Sequence, residues 1–350
     1  MNDEDSGAGP LVDEDRLAAW MDGRGLAPGA PLRVERVTTG HSNEVFAVRR
    51  GALHLALRRP PRTPLSPTAH DMAREHRVIS ALARAGTAVP VAQAVALCDD
   101  AGVIGAPFYL MELLDGVVVR DSLPAPFDGV PGAPRAIAEL LIDILVAIHA
   151  VDWRSVGLGD FGRPDGYLER QVDRWLGQLR RYRVRPLPDV DEAGRWLAAH
   201  VPPAQPPALI HGDYKLDNLM LARSLPPSAL AVLDWEQSTI GDPLVDVGWV
   251  LGLWHDPGEE VAASFNWSVS GMPGAPGVPR RSDLAARYAE RTGRDLGRLA
   301  FYCTLGLFKL ACVLEGSFAR HVAGTSDDPY FATLEAGVPA LARRALSFSG

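Results

Sequence analysis

L-I-H-G-D-Y-K-L-D-N-L-M-L, from Leu209 to Leu221, is followed by a short gap. Then come A-L-A-V-L-D-W-E, from Ala229 to Glu236, and I-G-D-P-L-V-D-V-G-W, from Ile240 to Trp249. Two apolar runs, Leu219–Leu221 and Leu230–Leu233, flank Arg223–Ser228, which contains Pro226 and Pro227. Apolar runs around a proline-bearing turn read as a small hairpin. A hairpin returns its second end to its first, so Asp213, Lys215 and Asn218 come near Asp234. Oxygen ligands on adjacent loops, with one lysine, suit phosphoryl transfer. Mg2+ takes hard oxygen ligands and leaves the rest of its shell to phosphates and water. Asn218 and Asp234 can supply the protein ligands. Asp213 is then left to accept a proton from an attacking hydroxyl. Lys215 can lie over the transferring phosphoryl, where negative charge must be held.

The pattern resembles a kinase catalytic loop, in which an Asp base is followed by an Asn and a further Asp holds metal. Asp213 and Asn218 keep the five-residue spacing of that loop. The H-G-D opening narrows the resemblance to the aminoglycoside phosphotransferase and choline kinase branch of the kinase-like fold, which phosphorylates small molecules. Within that branch, L-R-R-P-P (Leu57–Pro61), R-E-H-R-V-I-S-A-L (Arg74–Leu82) and H-G-D-Y-K-L-D-N are most similar to a subgroup that includes kinase-like domains fused to acyl-CoA dehydrogenases. The resemblance runs from Val34 to the C-terminus. It implies an α+β, protein-kinase-like two-lobed fold with an antiparallel five-stranded N-lobe and a mainly helical C-lobe. Residues 11–114 would bind nucleotide, and residues 115–350 would carry the catalytic loop and the acceptor site. The implied cofactors are ATP, with GTP as the alternative, and Mg2+.

Composition bounds the remaining classes. The chain has 350 residues, 47% of them hydrophobic, enough for one large or two moderate domains. Its formal net charge is -8, from 35 basic and 43 acidic residues, without a dense basic run, which argues against nucleic acid as a partner. The acidic start M-N-D-E-D-S-G-A-G-P does not read as a signal peptide, and residues 1–10 are expected to be disordered. Asp246 and Lys309 interrupt the best candidates for a membrane span. Cys98, Cys303 and Cys312 have no metal-ligand spacing, and so sparse and odd a count fits buried free thiols in a reducing cytoplasm. A monomer or a homodimer is expected.

Taken in order, Leu11–Arg24 reads as an amphipathic helix, and Leu32–Thr38, Glu44–Val48 and Leu53–Leu57 read as strands. Between the first two strands lies T-T-G-H-S-N-E. The family places a phosphate-covering loop here, which implies Gly40, Ser42 and Asn43, although one glycine would equally suit an ordinary hairpin turn. Arg58 stands at the end of the third strand, where the fold ordinarily has a Lys for the α and β phosphates. A guanidinium is a planar fork rather than a point charge, so its contacts differ. Thr68–Ala85 reads as a helix with Met72, Val78, Ile79 and Leu82 as its apolar face, and Glu75 is the candidate partner of Arg58. Val95–Cys98 and Phe108–Met111 complete the strands. By resemblance, Met111, Glu112 and Leu114 belong to the hinge whose main chain holds the adenine.

Beyond Gly116 the periodicity becomes helical: Arg135–Val151, Tyr167–Arg183 and Asp191–His200 before the hairpin, and Asp242–Leu253, Ser282–Thr292, Leu296–Phe318 and Pro329–Leu346 after it. The family resemblance makes Asp246 a buried brace of the catalytic loop. His211 reads as a packing and hydrogen-bonding residue of that loop. Lys309 either snorkels to water or reaches an anionic acceptor. These residues describe an ATP-dependent kinase of a small-molecule hydroxyl. The alternative is a nucleotide-binding pseudokinase that senses or scaffolds, for which only Arg58 speaks. A metallophosphoesterase would need a downstream G-N-H-[DE] cluster and a Walker NTPase a G-x-x-x-x-G-K-[ST]; the chain has neither. From His255 onward acids and bases balance, so a polycationic acceptor ranks below a hydroxylated metabolite. The resemblance to domains fused to acyl-CoA dehydrogenases points weakly to hydroxyacyl compounds.

Overall fold

Residue alternation along three strands sets the first layer. Phe46 and Val48, Leu55 and Leu57, and Phe108 and Leu110 are spaced by two, so each pair faces one side of a sheet. In the computed structural model, which describes residues 11–37, 43–61, 71–260, 272–326 and 328–350, all six are buried in one cluster with Leu17 and Met21. The strands are β1 (Leu32–Arg36), β2 (Glu44–Arg50), β3 (Leu53–Arg59), β4 (Ala94–Cys98) and β5 (Phe108–Glu112). They form one sheet in the order β1-β2-β3-β5-β4, every neighbouring pair antiparallel.

Helix α1 (Glu14–Asp22) supplies Leu17 and Met21 to that cluster. It is shorter than Leu11–Arg24 because the Asp13 side chain caps it by accepting from the Arg16 N–H. Arg50, at the end of β2, is buried and ties α1 to the sheet by donating to the carbonyls of Ala18 and Ala30 and to Asp22. Helix α2 (Met72–Arg84) starts after Asp71, whose carboxylate accepts from the Arg74 N–H. It covers the other face of the sheet, where Tyr109, between the inward Phe108 and Leu110, meets His76 edge-on. Arg58 follows the inward Leu57, so it too points to the α2 side. These elements, with Asp234–Glu236, make up one of two compact units: Met1–Thr87, Val91–Asp115 and Asp234–Glu236.

The second unit comprises Ala88–Pro90, Gly116–Leu233 and Gln237–Gly350. Its helices are α3 (Ala133–His149), α4 (Glu169–Leu179), α5 (Pro188–Ala199), α6 (Leu244–Leu253), α7 (Arg281–Thr292), α8 (Leu299–Val322) and α9 (Pro329–Leu346). Short strands lie between them: β6 (Gly116–Val117), β7 (Ala208–Ile210), β8 (Leu219–Ala222), β9 (Ala229–Val232) and β10 (Thr239–Gly241). β8 and β9 pair antiparallel with Leu219 opposite Val232, and β10 pairs antiparallel with β7.

Every residue of α6 is buried, and α8 packs on α4, α5, α6 and α9 as the central helix of the unit. α6 and α8 meet at glycines: a Cβ on Gly248 would run into the Tyr302 backbone, and one on Gly306 would come within 3.1 Å of Trp249 Cα. α8 has the length and composition of a membrane span despite Lys309, but 67% of its most apolar window is buried inside the protein.

Apart from that of α9, the helix starts differ from the sequence expectation by one to four residues. α5 begins at Pro188, because the P-L-P-D read as a linker supplies a proline for the first turn. α6 begins at Leu244, after Pro243, with the Leu244 N–H donating to the Asp242 carboxylate. α8 begins at Leu299 and runs past Phe318 to Val322.

Candidate active site

His211, Gly212 and Asp213 leave the end of β7 in a conformation few residues can adopt. Gly212 has φ +84°, and a Cβ there would lie 2.6 Å from the Gln237 carbonyl oxygen, so the position requires glycine. The peptides around it are held from several sides. Asp246 on α6 is fully buried and accepts from the N–H of His211 at 2.7 Å and of Gly212 at 2.8 Å. Burial acts to raise the Asp246 carboxyl, but His149, 3.3 Å away, and the amide bonds outweigh it and hold it below the usual carboxylate range. His211 is fully buried. Its Nδ1 faces the Asp213 N–H at 3.3 Å and its Nε2 faces the Leu233 carbonyl at 2.8 Å, which selects the Nε2–H tautomer. Asp246 and His211 therefore serve the loop as the sequence suggests.

Asn218 closes a one-turn 3-10 helix, Leu216–Asn218, and donates through Nδ2 to the Asp213 carbonyl at 2.8 Å and to Asp213 Oδ2 at 3.3 Å. Its Oδ1 is thereby turned away from Asp213. The hairpin closes as expected, with the Leu233 N–H donating to the Asn218 carbonyl at 2.8 Å. Lys215 Nζ lies 3.4 Å from Asp213 Oδ2 and 3.4 Å from Asp217 Oδ2.

Sequence reading did not single out Asp217. Burial, with Lys215 opposing it, pushes its carboxyl up to about 6, and among the described residues its Oδ1 is buried without a hydrogen bond. The available signal was the spacing D-Y-K-L-D, which places a carboxylate two residues on each side of Lys215.

Lys309 does not snorkel to water: it is buried and donates to the Gly212 carbonyl.

In the first unit, strand alternation and helix period converge on one ion-pair cluster. Glu75, with Val78, Ile79 and Leu82, lies on the buried stripe of α2 and is 1% exposed. Arg58 Nε donates to Glu75 at 2.9 Å, and Arg58 Nη2 donates to Asp234 at 2.5 Å. The other Glu75 oxygen accepts the Trp235 N–H at 3.2 Å. Burial would lower the Arg58 pKa, but Glu75 and then Asp234 outweigh it and push it further up. Burial likewise drives the Glu75 carboxyl upward, with Arg58 pulling against it. Asp234 sits at φ +62°, a left-handed conformation unusual for a residue with a side chain and one that clusters at functional sites.

Asn43, 4% exposed, donates to Glu236 at 3.0 Å. Gly40 and Ser42 lie outside the described residues. Met111 and Glu112 end β5; the Glu112 N–H donates to Gln93 and the Leu113 N–H to His54, and Leu114 follows the strand. In the second unit Asn218 Oδ1, and in the first the Asp234 oxygen not taken by Arg58, are hard oxygens of the kind Mg2+ takes.

A family model described as "Phosphotransferase enzyme family" matches residues 33–302. A solved Ralstonia eutropha protein, provisionally named an aminoglycoside phosphotransferase, is 35% identical and superposes with a TM-score of 0.79 over 96% of this chain and 97% of its own. An aminoglycoside phosphotransferase APH(4)-Ia, solved with AMP-PNP and hygromycin B, shares the fold at 15% identity, with a TM-score of 0.60 over 96% of this chain and 97% of its own. Acyl-CoA dehydrogenase family member 11 of Gallus gallus is 34% identical over 89% of this chain, and member 10 of Mus musculus 33% identical over 89%. The chain spans only 39% and 29% of those two relatives' lengths. With the family model covering most of the sheet, the loop and the hairpin, the chain belongs to the phosphotransferase enzyme family and has its kinase-like fold.

Proposed function

We propose that the protein transfers the γ-phosphate of ATP to a hydroxyl of a small molecule. The observation that carries this reading is the loop at Asp213. Its carboxylate lies within 3.4 Å of Lys215 and 3.3 Å of Asn218, on a backbone held by Asp246 and His211. In this reading Asp213 orients the acceptor hydroxyl and takes its proton as the oxygen attacks. Lys215 balances charge on the phosphoryl oxygens. Asn218 and Asp234 are the side chains that would hold Mg2+, which supplies charge neutralisation to the phosphates. Arg58, aimed by Glu75, faces the α and β phosphates, and Asn43 with the main chain of Met111, Glu112 and Leu114 completes the nucleotide side.

The acceptor is a hydroxylated metabolite in preference to an aminoglycoside. The relatives named acyl-CoA dehydrogenase family members favour acyl compounds bearing a hydroxyl. One observation favours the second reading, a nucleotide-binding protein without turnover: Arg58 replaces the usual lysine and engages Asp234 as well as Glu75. A coupled ADP-release assay over a panel of hydroxyacyl compounds, other hydroxylated metabolites and antibiotics tests both. Acceptor-dependent ADP release that Asp213→Asn abolishes supports the kinase. Nucleotide binding without acceptor-dependent release across the panel would favour the second reading.

A further inference from the structure

α8 is the apolar centre of its unit, and yet Lys309 stands in its middle, 8% exposed, where leucine or methionine would fill the same space. Burying an ammonium is costly unless something nearby uses its charge. Among the described residues no carboxylate lies within ion-pair distance of it. Its Nζ donates instead to the Gly212 carbonyl, with the ring of Trp249 (α6) at 4.5 Å and that of Trp175 (α4) at 5.5 Å. The two aromatic faces suit a desolvated cation and leave it one direction in which to donate.

That direction matters because of what the Gly212 carbonyl belongs to. It is one half of the peptide group joining Gly212 to Asp213, and the N–H of the same peptide faces His211 Nδ1 at 3.3 Å. The next peptide is held through the Asp213 carbonyl, which accepts from Asn218 at 2.8 Å. Asp246 holds the two amides before. Removing Lys309 leaves the peptide immediately ahead of Asp213 held only through its N–H. We infer that Lys309 is a positioning residue for Asp213, a buried cation that locks the Gly212–Asp213 peptide and so sets where the Asp213 carboxylate points. The inference rests on the base role proposed for Asp213.

The charged groups facing Lys309 are Asp213 on the loop, Asp246 on α6, Arg174 on α4 and Lys215 on the loop. Burial pushes the ammonium down to about 8, against Asp213 and Asp246, which favour its charged form. A packing lysine would be replaceable by methionine without consequence for the loop; a positioning lysine would not.

The test compares wild type, Lys309→Met and Lys309→Gln, the last in case the first does not fold. Hydrogen exchange by mass spectrometry reads peptides spanning 209–216. Hydrolysis of Mg-ATP to water, without an acceptor, reads turnover, and AMP-PNP titration reads nucleotide affinity. The expected result is faster exchange confined to the His211–Asp213 segment. Turnover falls roughly ten- to hundredfold, the cost of a small misplacement of a reacting group. AMP-PNP affinity stays within about twofold, separating a turnover effect from a binding effect. Unchanged exchange in the segment overturns the inference, as does faster exchange with unchanged turnover or loosening spread over the whole unit. Wild type that neither hydrolyses ATP nor releases ADP with any acceptor of the panel counts against the phosphotransferase reading instead, and exchange in the segment then decides the role of Lys309 by itself.

Discussion

Asp213 is assigned the proton, and Asn218 and Asp234 the metal as a neutral and a charged ligand, and substitution should separate them. Asp234→Ala removes the one carboxylate proposed for Mg2+ and leaves Arg58 with Glu75 alone, so metal and nucleotide affinity should fall together in calorimetric titration. Asn218 is a neutral ligand; Asn218→Ala should lose turnover that high Mg2+ partly restores. Arg58→Ala breaks a buried cluster and should raise the KM for ATP, whereas Arg58→Lys should retain partial activity, since it keeps the charge but not the fork that reaches Glu75 and Asp234 at once. An unchanged KM in Arg58→Ala would remove Arg58 from the nucleotide side.

Lys309 adds a test by pH. Its ammonium is depressed from 10.5 to about 8 in the folded chain. Between those values the unfolded chain holds more protons than the folded one, so the group's contribution to stability rises with pH in that window. At neutral pH the depression costs about 3 kcal/mol. Lys309→Met removes that cost but leaves the Gly212 carbonyl without a donor, which costs about 1–3 kcal/mol. The melting temperatures should therefore lie close together at pH 7 and separate in favour of wild type by pH 10. A constant difference across that range would contradict a depressed lysine.

Among single residues, the sequence disclosed those whose partners are local or periodic. Asp213, Lys215 and Asn218 lie within six positions, and the Arg58–Glu75 pair follows from a strand alternation and a helix stripe. Lys309 was opaque because its surroundings, Gly212, Trp175 and Trp249, lie far along the chain, whereas Asp217 had a local signal in its spacing from Lys215 and only its burial was hidden.

At the scale of elements, the hairpin and the separate strands could be read because apolar runs and proline turns are local signals, while their assembly into one antiparallel sheet followed from the family resemblance. The helix starts could not, because local bonds decide them: the caps Asp13 and Asp71 each accept an N–H that only the folded backbone presents. Glycines at close approaches are similarly silent until neighbours are known. Gly248→Ala would force a methyl into the Tyr302 backbone where α6 crosses α8, and overpacking of this kind costs about 1–3 kcal/mol or more. Gly212→Ala adds a Cβ at φ +84° against the Gln237 carbonyl, and it should lose turnover as well as stability. Thermal melts beside kinetics distinguish the two: Gly248→Ala should lower the melting temperature and spare the turnover of whatever protein remains folded.

For the molecule as a whole, the family match over residues 33–302 and the 35%-identical structure establish fold and family, while the chemistry rests on the loop at Asp213. The most direct measurement is nucleotide calorimetry on Asp213→Asn beside steady-state kinetics with one working acceptor. Asn keeps the shape and hydrogen-bonding reach of Asp but cannot take a proton at neutral pH. The account predicts nucleotide affinity near that of wild type with turnover lower by roughly 10²–10⁴-fold, the usual contribution of an acid–base group. Turnover by Asp213→Asn at the wild-type rate would contradict it.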